Sequence, residues 1–147
     1  MPTDTASQTL EVHAPLDRVL AVIRDVQTQP EWVKEVLTVE VLEKNDDGTP
    51  ATAHFTASAP VGRDEYTLAF THRDDGMSWS LVQGRLQTGQ NAAYTLHKAG
   101  KGGKAATTVT FDLTISHNLP LPGFIRRRVI NGLVESNVTG LKAYVEG

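Results

Sequence analysis

The sequence has no cysteine among its 147 residues. That excludes a disulfide framework, a thiol nucleophile and any cysteine-ligated zinc site. No apolar run approaches the roughly 20 residues of a membrane-spanning helix. The first residues, Met1 to Ser7, are polar and carry Asp4. They lack the basic start and apolar core of a secretory leader. A strong excess of one charge is also missing: the formal net charge is -3, which favours neither nucleic acid nor an anionic membrane. There is no G-x-S-x-G, Walker or dinucleotide fingerprint. None of His13, His54, His72, His97 and His117 stands four residues from another, as on a zinc-binding helix. Neither metal nor cofactor is expected. No internal repeat or low-complexity tract is visible. The expectation is one soluble, cytoplasmic domain spanning residues 1–147, long enough to bury about two-thirds of its unfolded surface.

What is present is a pattern that changes period twice. Ser7 to His13 alternates weakly and reads as a first strand. Pro15 opens a helix carried by Leu16, Val19, Leu20 and Ile23, and Pro30 to Val33 forms a second short turn of helix. From Glu35 the period becomes two. Leu37, Val39 and Val41 are the apolar set of one strand, and Ala53, Phe55, Ala57 and Ala59 that of the next. Four more such strands follow, to Phe111, Leu113 and Ile115. After Pro120, Pro122 and Gly123 the period is helical again to the end of the sequence. The sum is one strand, two short helices, six strands that make an antiparallel meander, and one long helix: an α+β order in which the amphipathic C-terminal helix covers the apolar face of the sheet.

One hairpin can be aligned by its turn chemistry. Asp75-Gly76 is a two-residue turn signal. Used as the loop, it sets His72 opposite Trp79, Phe70 opposite Leu81, Leu68 opposite Gln83 and Tyr66 opposite Arg85. Apolar faces then coincide.

The chain resembles the START-like (SRPBCC, helix-grip) superfamily, in its polyketide cyclase/dehydrase and coenzyme Q-binding branch. The resemblance spans nearly the whole sequence. Ala14-Pro15-Leu16-Asp17-Arg18-Val19, Asp25-Val26 and Pro30-Glu31-Trp32 carry it early. Ser78-Trp79-Ser80-Leu81, Leu119-Pro120-Leu121-Pro122-Gly123-Phe124 and Gly140-Leu141-Lys142 continue it. Where related sequences often place an aromatic before the proline, this one has Gln29. The resemblance implies a seven-stranded curved antiparallel sheet gripping the long C-terminal helix, with two short helices after the first strand and an apolar cavity between sheet and helix. It brings no catalytic residues with it, because the branch has no universal catalytic signature.

The candidate ligand-binding residues follow from inward strand parity and from one helix face. The sheet offers Phe55, Tyr66, Leu68, Phe70, Trp79, Leu81, Tyr94, Phe111 and Leu113, with Asp64, His72, Gln83 and Arg85 as polar residues in the same inward phase. Trp32 comes from the second short helix. The long helix offers Ile125, Val129 and Leu133, and a small-residue stripe that includes Gly132, Ser136 and Gly140. Small residues on facing surfaces have two explanations, tight backbone packing or a void of ligand size. Arg85 opposite Tyr66 would suit an anionic head group, or would curl to solvent and pair with Asp64.

The expected function is binding of a hydrophobic or amphipathic small molecule in a closed, mainly apolar cavity. The alternatives are a cyclase/dehydratase-type enzyme using the same cavity and a protein-interaction module. Catalysis is not favoured, because the inward surface is mostly apolar and acid–base work needs a polar group at the reacting atom. Membrane contact through Leu121, Phe124 and Arg126-Arg127-Arg128 is a secondary expectation.

Overall fold

The computed structural model describes residues 2–147, so Met1 of the expected 1–147 span lies outside the described residues. Strand β1 (Thr3–Val12) is followed by helix α1 (Leu16–Arg24), a 3-10 turn (Val26–Thr28) and helix α2 (Gln29–Trp32). Six strands come next: β2 (Val36–Lys44), β3 (Pro50–Ala59), β4 (Gly62–Arg73), β5 (Gly76–Gly84), β6 (Gln87–Lys98) and β7 (Thr107–His117). Helix α3 (Gly123–Glu146) completes the order. The α+β class and the seven-strand plan agree with the sequence reading. The first strand is longer than expected, because β1 pairs with β7 along its whole length.

The sheet order is β1-β7-β6-β5-β4-β3-β2, and every neighbouring pair is antiparallel. The two edge strands are thus the first two in the chain, and the α1–α2 segment carries the chain from one edge to the other. Helix α3 packs on β1 and β7 and on both short helices. Its buried side is Ile130, Val134, Asn137, Val138, Leu141 and Val145. Removing large apolar side chains from water is the main driving force here, at roughly 1.5–3 kcal/mol each. Across the sheet, aromatic rings form a continuous seam. Phe55 stacks on Tyr66 with centroids 5.4 Å apart, and Phe111 stacks on Tyr94 at 4.4 Å. Phe70 and Trp79 join the two pairs.

Two bulges change the expected register. In β2, Val36 pairs with Ala57 but Thr38 pairs with Thr56, so Leu37 is an extra residue. Leu37 is exposed, and Val36 takes the buried place instead. The β4–β5 hairpin turns at Asp74-Asp75 rather than Asp75-Gly76, with Arg73 opposite Gly76 and Phe70 opposite Trp79. That is a slip of two residues, which preserves facing parity and therefore the apolar match. Gly76 serves another need: a Cβ there would lie 1.9 Å from the Tyr94 carbonyl oxygen on β6.

The second bulge has consequences for the site. Leu68 pairs with Leu81, but Thr67 pairs with Gln83, leaving Val82 as the extra residue. One inserted residue reverses every side chain beyond it. Gln83 and Arg85 therefore leave the inner face, and Gly84 faces Tyr66.

Candidate ligand-binding cavity

Between the concave face of the sheet and α3 lies a cavity of about 430 Å³. Its sheet wall includes Phe55, Tyr66, Leu68, Trp79, Phe111 and Leu113. Val129, Ile130, Gly132, Leu133 and Asn137 form the wall contributed by α3. Val33 and Val36 close one side, and Leu119 and Leu121 close another. Ser58, Pro60 and Arg128 line it while being exposed, so the cavity opens to solvent at that rim rather than being closed as expected.

The helical small-residue stripe turns out to serve both purposes that small residues allow. A Cβ on Gly132 would meet nothing within 4 Å, so this position borders the void. A Cβ on Gly140 would sit 1.7 Å from the Trp32 carbonyl oxygen, so this position is where α3 crosses α2. Gly140 does not line the cavity.

The remaining candidates are placed as follows. Phe70 and Tyr94 are buried behind the wall, in contact with wall rings. Tyr94 donates its hydroxyl to Asn137 Oδ1 at 2.8 Å, and burial pushes its ionisation far up. Trp32 is buried in α2, donating its indole N–H to Thr28 Oγ1 at 3.0 Å. Leu81 is partly buried at the edge of the core, and Ile125 half-buried in the first turn of α3; neither lines the cavity. Ser136 stands outside the wall but donates to Glu35 Oε2 at 3.0 Å. Gln83 and Arg85 are exposed. The Arg85 guanidinium donates to the Arg63 carbonyl rather than pairing with Asp64. Arg85→Ala should accordingly leave affinity for neutral and anionic probes unchanged, at a stability cost within about 0.5 kcal/mol as for ordinary surface substitutions. Titration calorimetry with one probe of each kind checks it.

Of the polar wall, strand parity places Asp64 inward, along with His72, which does not line the cavity; sequence reasoning missed the rest. The Trp79 indole N–H donates to Gln90 Oε1 at 2.6 Å, and Gln90 Nε2 donates to Gln87 Oε1 at 2.6 Å. Gln87 Nε2 then donates to Asp64 Oδ2 at 3.0 Å. Asp64 Oδ1 accepts the Glu65 and Leu86 backbone N–H groups at 2.9 and 3.0 Å. The buried carboxylate is thus held by three donors and no cation, an arrangement that satisfies it without an ion pair. Parity extended back two residues from Ala92 would have found Gln90, and one turn beyond Leu133 would have found Asn137.

Near the rim a second group forms. The Leu119 N–H donates to His117 Nδ1 at 3.1 Å, so the neutral ring carries its proton on Nε2. That nitrogen meets Asp4 Oδ2 at 3.2 Å, and Arg126 Nε reaches the same oxygen at 3.3 Å. Gln29 is buried and also lines the cavity. Tyr66 presents a hydroxyl with no hydrogen-bond partner among the described residues. Burial raises its ionisation strongly, and the charges of Asp64 and Glu35 add to the effect. Among the described residues, no three His, Asp or Glu side chains converge to hold a metal ion.

The family model described as polyketide cyclase / dehydrase and lipid transport matches residues 3–146. The chain belongs to this family. Solved structures agree on the fold. A START superfamily protein from Mycobacterium smegmatis superposes with a TM-score of 0.86 at 22% identity, covering 97% of each chain. A protein from Thermus thermophilus gives 0.78 at 20% identity, again covering 97% of each. The Zhui aromatase/cyclase from Streptomyces sp. R1128 gives 0.78 at 12% identity, covering 99% of this chain and 94% of that one. At such identities the likeness establishes the START-like fold alone. No curated protein matches the chain. The family carries a ligand-binding fold. Among the described residues, no helix is long and apolar enough to cross a membrane.

Proposed function

We propose that the protein binds an apolar or amphipathic small molecule in the cavity between the sheet and α3. The observation that carries this reading is the cavity itself: about 430 Å³, walled mainly by aromatic and aliphatic side chains, with a few polar groups at defined places. Small-molecule sites typically span roughly 300–1,000 Å³ with this kind of lining. Binding is favoured over cyclisation or dehydration by the state of the ionisable groups. Asp64 accepts three hydrogen bonds from the protein, and His117 is held at both nitrogens by Leu119 and Asp4. His117 therefore has no free nitrogen for a reacting atom.

The test has two parts. Native mass spectrometry of protein purified from its own host should show a bound small molecule that denaturation releases. Titration with the apolar fluorophore N-phenyl-1-naphthylamine should give saturable, one-to-one enhancement. A folded protein that carries no guest and gives no saturable signal would refute the reading.

A further inference from the structure

One side of the cavity is closed by the connection between β7 and α3, residues 118–122, through Leu119 and Leu121. Pro120 and Pro122 carry no backbone N–H. The Leu121 N–H turns back to the Leu119 carbonyl at 2.9 Å, inside the connection. The Leu119 N–H reaches out of it instead, to His117 Nδ1 at 3.1 Å. Arg126 extends Nη1 to the Leu121 carbonyl at 3.5 Å. Both tethers converge on Asp4 of β1, whose Oδ2 meets His117 Nε2 at 3.2 Å and Arg126 Nε at 3.3 Å. The Asp4 and His117 side chains are nearly buried. The lip formed by Leu119 and Leu121 is thus tied to the sheet and to α3 by three side chains that line the same cavity.

This tie depends on the protonation state of one ring. Neutral His117 carries its proton on Nε2 and accepts from Leu119 at Nδ1. A second proton can enter only at Nδ1, where it points at the Leu119 N–H. Donor then meets donor, and the bond is lost. The charged groups facing the ring are Asp4 from β1, which favours the imidazolium, and Arg126 from α3, which opposes it. On β6, Gln87 stands opposite His117 and carries no charge. Residues 118–122 have no ionisable side chain. The imidazolium therefore keeps Asp4 and gives up Leu119. Protonation costs the latched form a hydrogen bond and the released form none, so falling pH shifts the balance towards release. Imidazole is the side chain whose charge changes between about pH 5 and pH 8.

We propose that His117 is a pH-sensitive latch on the cavity: neutral, it holds residues 118–122 across one side, and protonated, it releases them so that a guest escapes faster. This rests on the cavity being the binding site. Leu119 and Leu121 are the moving lip, and Asp4 keeps the ring in place in both states.

Stopped-flow dilution of the complex with N-phenyl-1-naphthylamine, a probe uncharged throughout, reads the escape rate from about pH 8 to about pH 5.5. The rate should rise about fivefold or more along a one-proton curve, the equivalent of about 1 kcal/mol, or one hydrogen bond. In the guest-free protein, the Leu119 amide and the His117 ring should titrate with one midpoint by NMR. His117→Asn sets an amide oxygen near the place of Nδ1 and cannot titrate, so its escape rate should be independent of pH. Asp4→Asn removes the charge that favours the imidazolium and should move the midpoint to lower pH. The wild-type rate profile and the NMR titration need no variant, so a misfolded variant does not remove the test. Saturable binding with a flat escape rate overturns the latch alone. So does a Leu119 amide that ignores the titration of His117, or an unchanged pH response in folded His117→Asn. No saturable binding at any pH refutes the cavity reading, and the latch on it falls as well.

Discussion

Gly132→Phe is expected to abolish binding of apolar probes while leaving the protein folded. Gly132 lines the cavity, and a Cβ there meets no atom within 4 Å. A benzyl group there strikes no wall, and from this lining position it is expected to occupy part of the void or its mouth. Burial of the ring and loss of a helical glycine both act in favour of the folded state, the latter by up to about 1 kcal/mol. The melting temperature should therefore hold or rise by a few degrees. Affinity for N-phenyl-1-naphthylamine should fall by at least about tenfold, or about 1.4 kcal/mol. Gly132→Ala adds a single methyl group and should retain most of the binding. Fluorescence titration beside a thermal melt separates the two quantities. Full affinity in folded Gly132→Phe would place the binding site somewhere other than this cavity.

Gly140→Ala is expected to do the opposite: lose stability and keep the site. The added methyl would lie 1.7 Å from the Trp32 carbonyl oxygen and 2.9 Å from its carbonyl carbon. Both are backbone atoms, so no rotamer change can make room. Either α3 or α2 must shift, and overpacking of this kind costs typically 1–3 kcal/mol, with a backbone clash at the upper end. The gain in helix propensity offsets about 1 kcal/mol. The net loss should be about 2 kcal/mol, or roughly 4–8 °C in melting temperature for a chain of this size. Urea unfolding and calorimetry measure it. The folded fraction should bind the apolar probe at nearly wild-type affinity, because Gly140 is absent from the cavity wall. A variant as stable as the wild type would mean that the α2–α3 crossing is looser than this geometry.

These two glycines show what a sequence can and cannot carry about a site. Gly132 and Gly140 are eight residues apart on one helical face, and small side chains recur between them. That periodicity marks a face that needs little bulk. Whether the reason is a void or a neighbouring backbone depends on what stands opposite, and for Gly140 that is a carbonyl more than a hundred residues earlier in the chain. The same holds for Arg85. Strand parity counted from Trp79 and Leu81 points Gln83 and Arg85 inward, and Val82 looks like any other strand residue. Only the pairing with β4 reveals it as an inserted residue that turns both side chains out.

The order of elements, the α+β class and the apolar face of most strands were legible in the sequence, because local period directly reflects which side chains leave water. That reading put Phe55, Tyr66, Leu68, Trp79, Phe111 and Leu113 on the inner face and Val129 and Leu133 opposite them, and these side chains border the cavity. The resemblance added the expectation of a space between the two. Tertiary structure alone decided the rest. Two bulges changed the parity of β2 and β5, and register set Phe70 against Trp79. Pairing across strands brought Trp79, Gln90, Gln87 and Asp64 into one hydrogen-bonded chain, and it left Glu35 Oε1 without a partner. The physical reason is range. Periodicity is a property of neighbours a few residues apart, whereas a polar network and a void are made by residues that meet only after the sheet has closed over its helix.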